Sequence, residues 1–118
     1  MSAILVVDDI EALRDPIAFE LEERGYSVMQ ASGGFQALDI CAQHAISLVI
    51  SDVKMPQGSG LDLLKGLRER GNPLVVFLIT GFSDVTVEEM HSLGAKRVFF
   101  KPLNPIALAD AAEGVLNP

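Results

Sequence analysis

Apolar runs alternate with amphipathic stretches along the whole chain. Residues 3–7 (AILVV) are short, apolar and rich in β-branched side chains, which predicts a strand. Residues 11–25 place Leu13, Ile17 and Leu21 on one helical face and end on Gly25, a helix stop. A strand follows over 27–30, a helix over 34–44, a strand over 47–51 and a helix over 60–71 with Leu61, Leu64 and Leu67 inward and Gly71 at its end. Then come a central strand at 73–80, a helix at 84–94 capped by Ser83, a strand at 97–100 and a helix at 105–116. Five strand–helix units of this kind predict an α/β fold, a doubly wound parallel sheet with helices on both faces. Strands that are apolar almost throughout agree, because both of their faces are buried. Pro16 breaks the helical pattern locally, since it removes a backbone hydrogen bond. Either the helix starts at Pro16 with Asp15 as its cap, or it starts near Glu11 and bends slightly. The place of Leu13 on the apolar face favours the second.

Composition narrows the classes. With 118 residues, 49% of them hydrophobic and 21% charged, the chain is one globular domain over 1–118 with no repeat or low-complexity segment. A formal net charge of −7 argues against a nucleic-acid surface, where affinity rests on clustered Lys and Arg. Cys41 is the single cysteine, so an internal disulfide and a thiolate metal cluster are both excluded. The N-terminus has no basic residue before its apolar run and so does not read as a signal peptide. The apolar stretch at 74–79 is far too short to span a bilayer, so a cytoplasmic location without membrane contact is expected.

Five polar residues do not fit a core. Asp8 and Asp9 follow the first strand, Asp52 follows the third, Thr80 ends the fourth and Lys101 follows the fifth. All stand at carboxyl ends of predicted parallel strands, the edge at which open α/β sheets bind ligands. Singly, each has a bland reading: an acidic pair as a turn or cap, a threonine as a turn hydroxyl, a lysine beside proline as solvated. Their convergence on one edge is harder to explain that way. Crowded carboxylates raise one another's pKa, and a divalent cation removes the conflict. An oxygen-only set with no His or Cys suits Mg²⁺. A mobile ammonium from Lys101 and a hydroxyl from Thr80 add the parts that stabilise a transferring phosphoryl group. A carboxylate itself serves as nucleophile in such chemistry, and Asp52 is the lone acid at its strand end.

These residues carry a resemblance. "LVVDD", "SDVKMPQGSG", "LITGF" and "FFKP" together resemble the motifs of the receiver domain of response regulators, the phosphoacceptors of two-component signalling. The resemblance covers the whole chain and implies a flavodoxin-like (βα)5 sheet in the order 2-1-3-4-5. Carried over residue by residue, it implies that Asp52 is the phosphoacceptor. Asp9, Asp52 and the backbone carbonyl of Lys54 then bind Mg²⁺, with Asp8 acting through water, and Thr80 and Lys101 bind the phosphoryl oxygens. The donor implied is a histidine kinase or phosphotransfer protein. The product is a conformational switch read by a downstream protein through the fourth helix, fifth strand and fifth helix, residues 81–115. The chain is then no enzyme beyond its own phosphoryl transfer and slow autodephosphorylation. A monomer is expected, with dimerisation linked to phosphorylation as an option. A cis Lys101–Pro102 bond is also expected, because the chain must turn sharply while Lys101 points into the acidic pocket.

Two positions depart from the family pattern. The family commonly has an aromatic residue three places before the lysine; here it is Val98, and the neighbouring Phe99 and Phe100 are expected in the core. Lys54 follows the phosphoacceptor by two places, either as a solvated side chain or as an ammonium that reaches the phosphoryl group. A start at Met1 and an end at "LNP" favour a single-domain regulator without an output domain over a receiver cut from a larger protein. Rival readings fare less well. A phosphatase of the haloacid dehalogenase type needs an acid where Lys54 stands, and a flavodoxin-type binder needs a Ser/Thr/Gly-rich phosphate loop where "VVDDIE" stands. A phosphorylation-independent adaptor of the same fold remains the main alternative.

Overall fold

A computed structural model describes residues 2–81 and 84–118. Five strands, β1 (Ala3–Val7), β2 (Val28–Ala31), β3 (Ile46–Asp52), β4 (Val76–Thr80) and β5 (Arg97–Phe100), alternate with α1 (Glu11–Glu23), α2 (Gly34–Gln43), α3 (Gly60–Glu69), α4 (Val87–Ser92) and α5 (Pro105–Leu116). The strands form a single sheet in the order β2-β1-β3-β4-β5. Every neighbouring pair runs parallel, with Val7 beside Ser51, Asp52 beside Ile79 and Thr80 beside Phe100. This is the doubly wound order that the resemblance implied. No helix among the described residues is long and apolar enough to cross a membrane.

Strand alternation sends side chains into two cores. Leu5, Val7, Val49, Val76 and Leu78 face α2, α3 and α4, where Leu38, Leu63, Leu64, Leu67 and Met90 meet them. Ile4, Val6, Leu48, Ile50, Phe77 and Ile79 face α1 and α5, meeting Ile17, Leu21, Leu108 and Ala112. Burying one such aliphatic side chain contributes about 1.5–3 kcal/mol, so the two layers rather than helix propensity hold the sheet covered.

Several expectations change at the element ends. Helix α1 does begin at Glu11 and runs through Pro16, but Leu13 is 41% exposed. Its inward stripe is Ile17, Ala18 and Leu21. The first turn overhangs the sheet edge, and there Leu13 lines a cleft with Pro16, Ile79 and Leu103 instead of entering the core. In α3 the innermost residues are Leu63, Leu64 and Leu67, while Leu61 is only half-buried at the start of the helix. The fourth strand starts at Val76, not at residue 73. Pro73 brings no N–H, and the Leu74 N–H is taken by Asn72 Oδ1. The expected Ser83 cap lies outside the described residues; α4 starts at Val87, with Thr86 accepting the N–H of Glu89. Phe99 joins the α1–α5 core at 5.5 Å from Phe77, ring centre to ring centre. Phe100, expected in the core, is 59% exposed, because it stands at the open end of the edge strand. The Lys101–Pro102 peptide is cis, as expected.

Candidate functional site

The carboxyl ends of β1, β3, β4 and β5 meet at one edge of the sheet. Asp52 closes β3 and Thr80 closes β4; both are buried, as is Asp8 just past β1. Asp9 is exposed beside them. The carboxylate oxygens of Asp8, Asp9 and Asp52 come within 4.8 Å of one another. Lys101, just past β5, reaches back so that Nζ lies 3.1 Å from Asp52 Oδ1. A small cleft of about 170 Å³ is lined by Asp52, Lys54, Thr80, Gly81 and Lys101. All the residues singled out in the sequence are therefore brought to one place, Lys54 included.

The electrostatics follow from burial. Asp52 has its pKa raised, first by desolvation; the hydrogen bond and charge of Lys101 and the N–H of Val53 pull it down, and Asp9 pushes it up. Asp8 is also raised, first by desolvation, against the opposing N–H of Ile10 and with the charge of Asp52 adding to the rise. Ile10 donates to Asp8 Oδ1 at 2.9 Å. The Lys101 ammonium thus stands beside a cluster of three carboxylates, two of them destabilised as anions. A small divalent cation with oxygen ligands would relieve this cluster, and the donor set fits Mg²⁺ or Ca²⁺ rather than a thiolate- or imidazole-loving metal. Thr80 Oγ1 is buried and has no hydrogen-bond partner among the described residues. An unpaired buried hydroxyl costs stability, so its persistence at a site edge calls for a ligand or a movement that satisfies it.

Local sequence explains how these groups are held. The Ser51 hydroxyl donates to the Asp52 carbonyl at 2.9 Å, and the Val53 N–H donates to the Ile79 carbonyl, which ties the mouth of β3 to β4. Gly60 starts α3 directly behind Asp52, where any Cβ would collide with the Asp52 carbonyl oxygen. The Ser59–Asp62 capping box then fixes the entry of α3, with both reciprocal bonds at 3.0 Å. Gly33 and Gly34 let α2 approach residues 57–59 closely, with the Gly34 N–H donating to Gly58. Val98 packs on the α2–α3–α4 side next to Leu78 and is half-buried. Arg14 was not singled out from the sequence, yet its Nη1 donates to the Asp8 carbonyl at 2.7 Å. Its position one turn into an amphipathic helix gave no periodic signal; only an acidic loop folding back over that turn reveals it.

Comparisons with known proteins agree with this geometry. Residues 4–113 match the response regulator receiver domain. The transcriptional regulatory protein FixJ of Azorhizobium caulinodans is 37% identical over 95% of this chain, which spans only 54% of that protein. Sporulation initiation phosphotransferase F of Bacillus subtilis is 32% identical over 96% of this chain and is itself 92% covered. Among solved structures, the chemotaxis protein CheY4 of Vibrio cholerae superimposes with a TM-score of 0.87 at 29% identity, over 98% of each chain. The chain thus spans about half of FixJ and nearly all of the sporulation protein.

Proposed function

Because this chain belongs to the response regulator receiver domain family, we propose that it is a phosphoacceptor in which Asp52 takes the phosphoryl group. The single observation that carries the reading is the pairing of a buried Asp52 with Lys101 at 3.1 Å, beside two further carboxylates and the unpartnered Thr80 hydroxyl. The donor class is a phosphohistidine on a histidine kinase or phosphotransfer protein. An Asp52 oxygen forms the new bond to phosphorus, the phosphorus–nitrogen bond breaks, and the departing imidazole keeps the electron pair and takes up a proton. Mg²⁺, held by Asp9, Asp52 and the Lys54 carbonyl with Asp8 through water, would neutralise charge on the phosphoryl oxygens. Lys101 follows the charge from the carboxylate to the phosphoryl group, since its flexible stem leaves the ammonium mobile. Thr80 supplies a hydroxyl donor to a phosphoryl oxygen, which also ends its own unpaired state.

Phosphorylation replaces the single charge of the Asp52 carboxylate by close to two on the phosphoryl group at neutral pH, a net gain of about one negative charge in a site that already gathers three carboxylates. The response runs from Thr80 through residues 81–83 into α4 and β5, and a downstream protein reads residues 81–115. The reading draws on Gly81, which follows Thr80 directly and where, among the described residues, an added Cβ would first meet the Lys101 side chain at 3.4 Å.

The test is intact-mass analysis after exposure to a small phosphodonor. A single phosphate adduct is expected with Mg²⁺ present and none with a chelator. An adduct that persists in Asp52→Asn would overturn the assignment. A heteronuclear NMR titration with beryllofluoride and Mg²⁺ then tests the switch: shifts should extend along 81–100 and remain small in α2. Signalling that survives in a folded Asp52→Asn chain would favour the phosphorylation-independent adaptor instead.

A further inference from the structure

The acidic loop is held by a side chain outside the phosphoacceptor cleft. Arg14 of α1 donates through Nη1 to the Asp8 carbonyl at 2.7 Å and through Nε to Gln30 Oε1, on β2, at 3.0 Å. Asp8 is also tied at its N–H, which donates to the Ala31 carbonyl, and at Oδ1, which accepts from Ile10. The guanidinium therefore closes a triangle between the acidic loop, the first turns of α1 and the edge strand β2. The carbonyl it grips belongs to the peptide plane that continues into Asp9. Fixing that oxygen fixes the direction in which Asp9 leaves the chain.

This matters because the cluster repels itself. Three carboxylates within 4.8 Å drive one another apart, and Asp9, being exposed, has water to swing into. A loop free to relax would open the cluster, and a cation would have to gather it again at the cost of ordering the chain. Holding the loop beforehand removes that cost, which is how preorganisation raises affinity. The two-pronged grip needs a planar fork with separate donors; a lysine ammonium offers a single point and cannot span both partners in this geometry.

We propose that Arg14 is a positioning residue of the divalent-cation site, locking the Asp8 carbonyl to Gln30 so that Asp8 and Asp9 stay at cation-binding spacing. The inference rests on the reading of the acidic cluster as a Mg²⁺ site. It is tested by calorimetric Mg²⁺ titration of the unmodified chain and of Arg14→Met, Arg14→Lys and Gln30→Leu, each also melted without metal. Partners that orient metal ligands from behind are worth about 10-fold or more in affinity, so Arg14→Met should weaken Mg²⁺ binding about 10-fold. Arg14→Lys should recover only part of the loss. Gln30→Leu, which alters an exposed side chain and leaves all charges in place, should weaken binding by a smaller factor of about 3, from the loss of one solvent-exposed prong of the guanidinium's grip. A merely structural role would lower the melting temperature and leave the Mg²⁺ dissociation constant of the folded chain unchanged. Dissociation constants within twofold of the unmodified chain in Gln30→Leu and in whichever Arg14 variants fold would overturn the inference. An unmodified chain without saturable Mg²⁺ binding would overturn the cation reading itself, and this inference with it.

Discussion

The ammonium of Lys101 stands 3.1 Å from Asp52 Oδ1, although the two residues lie on β-strand ends that are separated in the sheet by β4. The pairing is unequal: the carboxylate is buried and the ammonium side chain is 36% exposed. Lys101 therefore keeps a route to water when its partner changes charge, while Asp52 depends on its neighbours for every bit of stabilisation as an anion.

The first prediction concerns Asp52 itself. Its pKa is raised in the folded state, chiefly by burial. The folded chain thus holds the proton more tightly than the unfolded chain, and stability falls as pH rises from the model-peptide value of 3.8 through the raised folded value. Without metal, Asp52→Asn should therefore be more stable at pH 7, by on the order of 1 kcal/mol, the usual gain when a functional site is relieved. The gain should fade as pH approaches 3.8. Urea unfolding at pH 7 and pH 4 with a chelator checks it; a variant less stable than the parent at pH 7 would contradict the sign.

Removing the cation should act in the opposite direction. Lys101→Met leaves a buried carboxylate without its counter-charge, which raises the folded-state pKa of Asp52 further. The chain should lose about 1–3 kcal/mol at pH 7, and the loss should shrink as pH falls toward 3.8, because the raised pKa returns Asp52 to its neutral form. Mg²⁺ should restore part of the stability at pH 7. The same unfolding series, with and without metal, measures both effects.

Thr80 offers a cleaner separation of stability from function. Its hydroxyl is buried with no partner among the described residues, so Thr80→Val replaces a polar atom by a methyl of similar size. The variant should be as stable as the parent or more so, by up to about 1 kcal/mol. Its rate of phosphate uptake from a small donor should nevertheless change, because the donor to a phosphoryl oxygen is gone. Thermal unfolding and stopped-time mass analysis check the pair; a marked loss of stability would mean that the hydroxyl has a partner in solution.

Arg68 is a structural staple distant from the chemistry. Its guanidinium donates to the carbonyls of Asn72 and Leu74 at 2.9 and 3.0 Å and to that of Gly94 at 3.1 Å. It thereby joins the exit of α3 to the turn between α4 and β5. Arg68→Met should cost about 2–3 kcal/mol, since charged hydrogen bonds to half-buried carbonyls are lost together. Asp52 phosphorylation should remain intact. Hydrogen exchange should show the increase concentrated near residues 72–75 and 94–97.

The layered α/β architecture and most of the site were legible in the sequence. Apolar runs that alternate with helical periodicity leave few ways to bury both kinds of face, so the class followed from pattern, while the strand order followed from the family resemblance. Asp8, Asp9, Asp52, Thr80 and Lys101 were legible because parallel strands deliver their carboxyl ends to one edge wherever the chain crosses over in the same sense. What pattern could not supply were relations between elements. Whether Leu13 or Leu61 enters the core depends on how far a helix overhangs the sheet, and neither does so fully. Phe100 looks like core in "VFF", yet its strand lies at the sheet edge, and exposure is decided by what covers that edge. The unpaired Thr80 hydroxyl and the grip of Arg14 on the Asp8 carbonyl, six residues away, are set by how the packed elements and the loop between β1 and α1 meet. Periodicity records which face of an element is buried; hydrogen bonds across elements depend on distances that only the packed sheet and helices set.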